Sequence, residues 1–274
     1  MKEILDYLAT LRTRGGGVAF RELRSRFIRG PVKTAVRRVM DVCERHDTVF
    51  TFFITGNCAI MNRSFMEEII DRGHEISCHG YEHLRFDMTP RDEAIADLLL
   101  AKKLFKNLFS YDLNGFRAPY LGMNEDVAAV LKEVGLKYSS SVMAYAHESK
   151  TRFEYPNGLP EFPIVACDWH SLIRDNVGGK AFLDEMVGKI ENNAVFELHP
   201  WRMGQKPNIW ILEKLLEQCS LPSVSMAELA QGKDGFAMTG DLGELALTEI
   251  FQRLIPGLAP SREKVEREME AYAK

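Results

Sequence analysis

The sequence predicts an α/β domain built on a parallel sheet, and three observations lead there. From residue 31 onward, short apolar runs rich in β-branched and aromatic residues alternate with amphipathic helical stretches. The connections between them are short. At 274 residues, 46% hydrophobic and 27% charged, the chain is long enough for one sizeable core and lies near the composition of soluble globular proteins. Apolar strands separated by helices call for a sheet covered on both faces or closed into a barrel.

The elements follow in order. Residues 1–38 hold ten basic and three acidic residues, a net of +7 in a chain whose formal charge is -4. Such a stretch is either a solvated helical face or a basic arm suited to an anionic membrane surface or a phosphate-bearing substrate. "RGGGVAF" lacks the lysine and the strand-to-helix setting of a phosphate-cradling loop, so its glycines read as a flexible break. "PVKTAVRRVMDVCERH" has Pro31 in a first-turn position and Val32, Val36, Val39, Met40 and Cys43 on one face, which predicts a helix. "TVFTFFIT" reads as a buried strand.

The alternation continues through helix 62–72, strand 74–78, helix 90–109, strand 114–116, helix 124–134 and strand 136–142. A polar stretch, "AYAHESKTRFEYPNGLP", interrupts it before strand "EFPIVAC", helix 179–192, strand "AVFEL", helix 207–219 and a short last strand near "PSVSM". The tail after about residue 232 is expected to add an amphipathic helix and a charged terminal one. No apolar run approaches the roughly 20 residues of a membrane span, and "MKEILDYLATLRTRGGG" lacks the apolar core and cleavage site of a secretory signal. The expected location is cytoplasmic, with peripheral membrane contact through residues 1–38. The five cysteines show no paired spacing and are expected to be free, buried thiols.

The chemistry-bearing residues fall at one kind of position. His79 and His83 follow "HEISC"; Arg117, Pro119 and Tyr120 follow "NGF"; Asp168 and Trp169 follow "FPIVAC"; His199 follows "VFEL". The carboxyl ends of parallel strands share one edge, where such folds build active sites. In one turn of helix, His79 and His83 would offer two nitrogens to one ion, which then needs a further ligand, usually a carboxylate. An isolated pair at this spacing is more often two ordinary surface histidines. His199 can protonate a departing amine, with Asp168 holding its ring and favouring the charged form. Arg117 can clamp a carboxylate, and the backbone N–H after Pro119 can face an oxyanion. Together these groups describe metal-assisted hydrolysis of an amide or ester.

Five motifs, "TFFITG" at 51–56, "GHEISCHGYEH" at 73–83, "FRAPY" at 116–120, "DW" at 168–169 and "ELHPW" at 197–201, resemble in order and interval those of the polysaccharide deacetylases with a NodB-homology domain. The resemblance covers about residues 31–230 and implies a distorted (β/α) barrel of about seven strands. It divides the chain into a basic segment (1–30), the barrel (31–230) and a helical C-terminal extension packed on it (231–274). It further implies a divalent metal, zinc first and nickel or cobalt as alternates, held by an Asp-His-His triad that includes His79 and His83. Arg117 would be an orienting residue, the Tyr120 backbone an oxyanion donor, and His199 a general acid tuned by Asp168. Trp169 and Leu198 would line the substrate. The implied reaction removes an N-acetyl or related acyl group from an amino sugar; no nucleic-acid partner is expected.

The chain departs from the family twice. The first motif is a strand ending Thr-Phe-Asp-Asp, whose aspartates supply the base and a metal ligand. Laid over it, "VAFREL" puts Arg21, which stays protonated, at the base and Glu22 at the ligand. Phe20, Leu23 and Phe27 also fit a basic amphipathic helix, in which case the first strand is absent or displaced. The second departure is Glu197, which shares a strand face with Val195 and His199 where the family carries an apolar residue. Either it pairs with a cation such as Arg117, or it substitutes for the lost base or ligand. Three functions are compatible with these features: a metal-dependent amino-sugar deacetylase or deformylase, a degenerate carbohydrate-binding member, and a hydrolase of non-sugar amides.

Overall fold

A computed structural model describes residues 32–242. Helix α1 (Val32–Arg45) leads to β1 (Thr51–Ile54), α2 (Gly56–Met61), α3 (Arg63–Asp71) and β2 (Glu75–Cys78). After α4 (Arg91–Phe109) come β3 (Gly115–Phe116), α5 (Glu125–Glu133) and β4 (Tyr138–Ser139). A small hairpin of β5 (Phe153–Glu154) and β6 (Pro160–Glu161) precedes β7 (Ile164–Cys167), α6 (Gly179–Val187) and β8 (Val195–Glu197). The described chain ends with α7 (Pro200–Met203), α8 (Ile209–Gln218), α9 (Met226–Ala230) and β9 (Ala237–Asp241).

The nine strands form one sheet in the order β5-β6-β4-β3-β2-β1-β9-β8-β7, parallel everywhere except at the β5–β6 hairpin. The sheet curls until its far edges meet. Strand β6 pairs with β4 through Ser139 and Glu161, and the same run three residues on pairs Ile164 with Met143. The Ile164 N–H donates to the Val142 carbonyl at 2.8 Å. Residues 160–167 therefore act as one extended stave, and seven staves make the distorted barrel that the motifs imply.

Period-two alternation sorts the side chains. Phe52, Ile54, Ile76, Cys78, Phe196, Leu198 and Met238 point outward into the core between sheet and helices. Phe53, Val195 and Ala237 point inward and, with Tyr138, Phe162, Val224, Met226 and Leu229, form the apolar filling of the barrel. Each buried phenylalanine contributes about 1.5–3 kcal/mol of apolar transfer energy. Inside, the Glu75 carboxyl accepts hydrogen bonds from Tyr138 (2.6 Å), Thr51 (2.9 Å), Ser77 (3.0 Å) and the Ala227 N–H (3.0 Å), which fastens α9 across that end. Burial raises the Glu75 pKa, against those hydrogen bonds.

Two sequence expectations change. The stretch 222–226 contributes one bridge, Ser223 to Phe236, and then enters α9, whose capping box joins Ser225 and Glu228. Residues 237–241, for which no strand was expected, supply β9, hydrogen-bonded between β1 and β8 in the middle of the sheet, while the two helices expected in the tail fall outside the described residues. The run "FAMTG" is too short for a helical period to show, and its place between two apolar strands decides its conformation. The described cysteines are all free; four are buried and Cys219 is partly so. No described helix is long and apolar enough to cross a membrane.

Candidate active site

The carboxyl ends of β2, β3, β7, β8 and β9 open at one mouth of the barrel. His79 directly follows β2, and its N–H donates to the Ile54 carbonyl at 3.1 Å. Its Nδ1 lies 2.8 Å from the Arg117 carbonyl, an arrangement that requires Nδ1–H and leaves Nε2 as a bare lone pair. Nε2 is buried and has no hydrogen-bond partner among the described residues. Burial lowers the His79 pKa, so the ring is neutral. A buried acceptor with its tautomer set from behind is how proteins present a histidine to a cation.

His83 reaches the same place by a route the sequence does not show. Residues 79–85 form a loop rather than a helical turn, with Gly80 at φ 78° and His83 at φ 54°. A Cβ at Gly80 would stand 2.9 Å from the Asp97 carboxylate, so glycine is required there. Asp97 holds the loop by accepting the Tyr81 N–H (2.6 Å) and the Glu82 N–H (2.9 Å). The two imidazoles end with centroids 4.8 Å apart at 68°. The expected pair forms, without the helix expected to form it.

Asp168 and His199 make the second unit. Nδ1 of His199 is 2.5 Å from Asp168 Oδ1, and the His199 N–H donates to Oδ2 at 3.1 Å. Burial alone would depress the His199 pKa; the Asp168 charge and hydrogen bond outweigh it, and the pKa rises to about 9. The imidazolium is therefore the resting form at neutral pH. Cys167 lies beside this pair, and the three potential ligand atoms fall within 4.8 Å of one another. Burial and then the Glu197 and Asp168 charges push the Cys167 thiol well up, so it stays protonated and is a poor ligand. Asp168 is already committed to His199, so this cluster is an acid pair rather than a cation site.

Arg117 is fully buried. Its Nε donates to the Ser140 carbonyl (2.7 Å), its Nη2 to Ser140 Oγ (2.8 Å), and its guanidinium lies over the Phe53 ring at 4.4 Å. Nη1 stands 3.6 Å from Glu197 Oε1. Glu197 thus has the cationic neighbour that the sequence offered as one of its two readings. Tyr120 adopts φ 59° in the turn after β3, with its side chain exposed and its ring centroid 4.9 Å from that of His83. Trp169 begins the wide helical segment after β7 and is partly buried. Leu198 does not line the site: one residue out of phase with His199, it points outward and is fully buried in the helix-covered core. Glu22 and the basic arm before residue 32 lie outside the described residues.

Sequence reasoning missed Asp241, the last residue of β9. Pairing of Thr239 with Glu197 puts Asp241, two residues on, level with His199 and on the same inward face. On the other side, Asp241 pairs with Phe53, which pairs with Ser77, two residues before His79.

The family model for polysaccharide deacetylases matches residues 26–139. Over that stretch the chain is similar to the polysaccharide deacetylases. It is 23% identical over 214 residues to a peptidoglycan deacetylase of Helicobacter pylori, covering 78% of this chain and 64% of that one. It is 27% identical over 107 residues to the peptidoglycan-N-acetylglucosamine deacetylase PgdA of Listeria monocytogenes, which covers 39% of this chain and 22% of the relative. The chain therefore spans less than two thirds of the length of either relative. A Mycobacterium smegmatis structure described as a polysaccharide deacetylase shares the fold at a TM-score of 0.56 and 21% identity, over 87% of this chain and 82% of that one. So does a CE4 family pseudoenzyme of Bacillus anthracis, at a TM-score of 0.51 and 16% identity over 79% and 62%. Both likenesses speak for the fold alone.

The deacetylase family match ends before Asp168, His199 and Asp241. One signal in the sequence pointed to the last of these. "AMTGD" at 237–241 repeats the sense of a strand ending Thr-Phe-Asp-Asp, but it stands at the opposite end of the chain from where that motif is expected.

Proposed function

We propose that this protein is a metal-dependent hydrolase that removes an N-acetyl or related N-acyl group from an amino sugar in a glycan or glycan precursor. The observation that carries the proposal is the shared mouth: the orphaned Nε2 of neutral His79 beside His83, and the protonated His199 held by Asp168. The buried His79 lone pair and the adjacent imidazole fit a divalent cation such as zinc, with nickel or cobalt as alternates. When bound, the cation would polarise the acyl carbonyl and lower the pKa of water.

The protein groups then divide the work. His199, with its proton retained to about pH 9, donates to the departing sugar nitrogen. Asp168 fixes the Nδ1–H tautomer and stabilises the charge. Arg117 holds Glu197, and the backbone N–H at Tyr120 would receive the developing oxyanion. The exposed Tyr120 ring and the partly buried Trp169 offer apolar faces for a sugar ring.

Acetate release from N-acetylglucosamine oligomers, set beside release from simple amides, tests the reading. Release from the oligomers that His199→Ala reduces on the order of a hundredfold or more is expected. A zinc-loaded protein that binds the oligomers and releases nothing would be the degenerate carbohydrate-binding member; preference for linear amides would move the substrate off sugars. The basic arm gives a lipid-phosphate-linked substrate at the cytoplasmic membrane surface as a further part of this proposal, tested by flotation with anionic vesicles.

A further inference from the structure

We propose that Asp241 is the acidic ligand completing the cation site of His79 and His83, so that the carboxylate expected from the first strand of the barrel is delivered by the last described one. The inference rests on the deacetylase reading above, and three observations support it.

The first is place. β9 is paired with β1 on one side and β8 on the other, so it is a stave of the barrel and not an extension lying on its surface. The second is height and face. In register, residues of neighbouring parallel strands point the same way, which puts Ser77, Phe53, Asp241 and His199 around the inner wall near the carboxyl edge, with His79 two residues beyond Ser77. The third is fixation. A Cβ at Gly240 would meet the Leu198 carbonyl oxygen at 2.1 Å and Pro200 Cδ at 2.9 Å, so the backbone just before Asp241 is pressed against the strand end that carries His199. Only glycine permits that approach, and the result holds Asp241 beside the mouth.

Four other inward carboxylates among the described residues have their own partners. Glu75 is bonded at the far end of the barrel, Glu161 accepts the Ser141 and Val142 N–H groups, Asp168 holds His199, and Glu197 faces Arg117.

Zinc binding, measured by equilibrium titration and by metal analysis of the full chain, reads the assignment without reference to activity. Asp241→Asn and His79→Ala are each expected to weaken zinc on the order of a hundredfold or more, while Glu197→Gln and Glu22→Gln retain it. Asp241→Asn with wild-type zinc affinity overturns the assignment, most directly if Glu22→Gln loses the metal instead. A wild-type chain that binds no zinc, nickel or cobalt, unchanged in His79→Ala, would defeat the deacetylase reading itself. A second variant guards against misfolding. Asp241→Cys loaded with cobalt is expected to show an intense thiolate-to-cobalt charge-transfer band, and cobalt bound without that band overturns the assignment.

Discussion

His199 carries the clearest consequence at the scale of single residues. Its pKa is raised to about 9, so the protonated acid dominates at neutral pH and is lost as the pH rises through 9. The same shift means that its contribution to stability is fully present below about pH 6.5 and disappears through pH 9. Asp168→Asn removes the charge responsible. Its turnover is expected to fall about 10²–10⁴-fold, and the alkaline limb of the pH–rate profile to move down toward the ordinary imidazole range. A limb that stays where it is would show that another group is the acid. Glu197→Gln tests the other buried pair: leaving Arg117 without its carboxylate is expected to cost about 3 kcal/mol in urea unfolding. At this scale the sequence was informative because strand ends announce themselves. His79, His83, Arg117, Asp168 and His199 all stand at the mouth. Leu198 was misplaced because a motif names neighbours in sequence, whereas alternation sends neighbours to opposite faces.

Among the elements, β9 separates what periodicity can show from what it cannot. The helices at 32–45, 91–109 and 125–133 have long apolar stripes and were readable within a few residues. The histidine loop was not, because its shape depends on Asp97, fourteen residues beyond His83. Nor was β9, five residues long, whose strand character comes from its slot between β1 and β8. That slot makes a prediction of its own. Gly240→Val places a branched side chain against the Leu198 carbonyl and is expected to destabilise the fold by at least about 3 kcal/mol in urea unfolding, with zinc affinity falling in parallel. A variant as stable as wild type would mean that β9 is not packed in the sheet.

For the molecule as a whole, the motifs conveyed the barrel and its number of staves, while the order of the staves required the structure. The boundary expected at residue 230 would have put the barrel's completion before the tail; in the structure it comes after. A chain ending at residue 231 is therefore expected to lose near-ultraviolet circular dichroism and cooperative unfolding, because β1 and β8 then face each other across an empty slot. Retention of a sharp, wild-type melting transition by that shortened chain would contradict the arrangement.

The slot also sets a timetable. As the chain leaves the ribosome, Thr51 and the residues after it must wait nearly two hundred positions for Thr239, so β1 and then β8 stay open to wrong partners through most of synthesis. A polypeptide abandoned before β9 would hold both histidines yet lack the strand that joins β1 to β8. Such a product would meet the cell's quality control as an unfolded chain, not as a folded enzyme with a faulty centre.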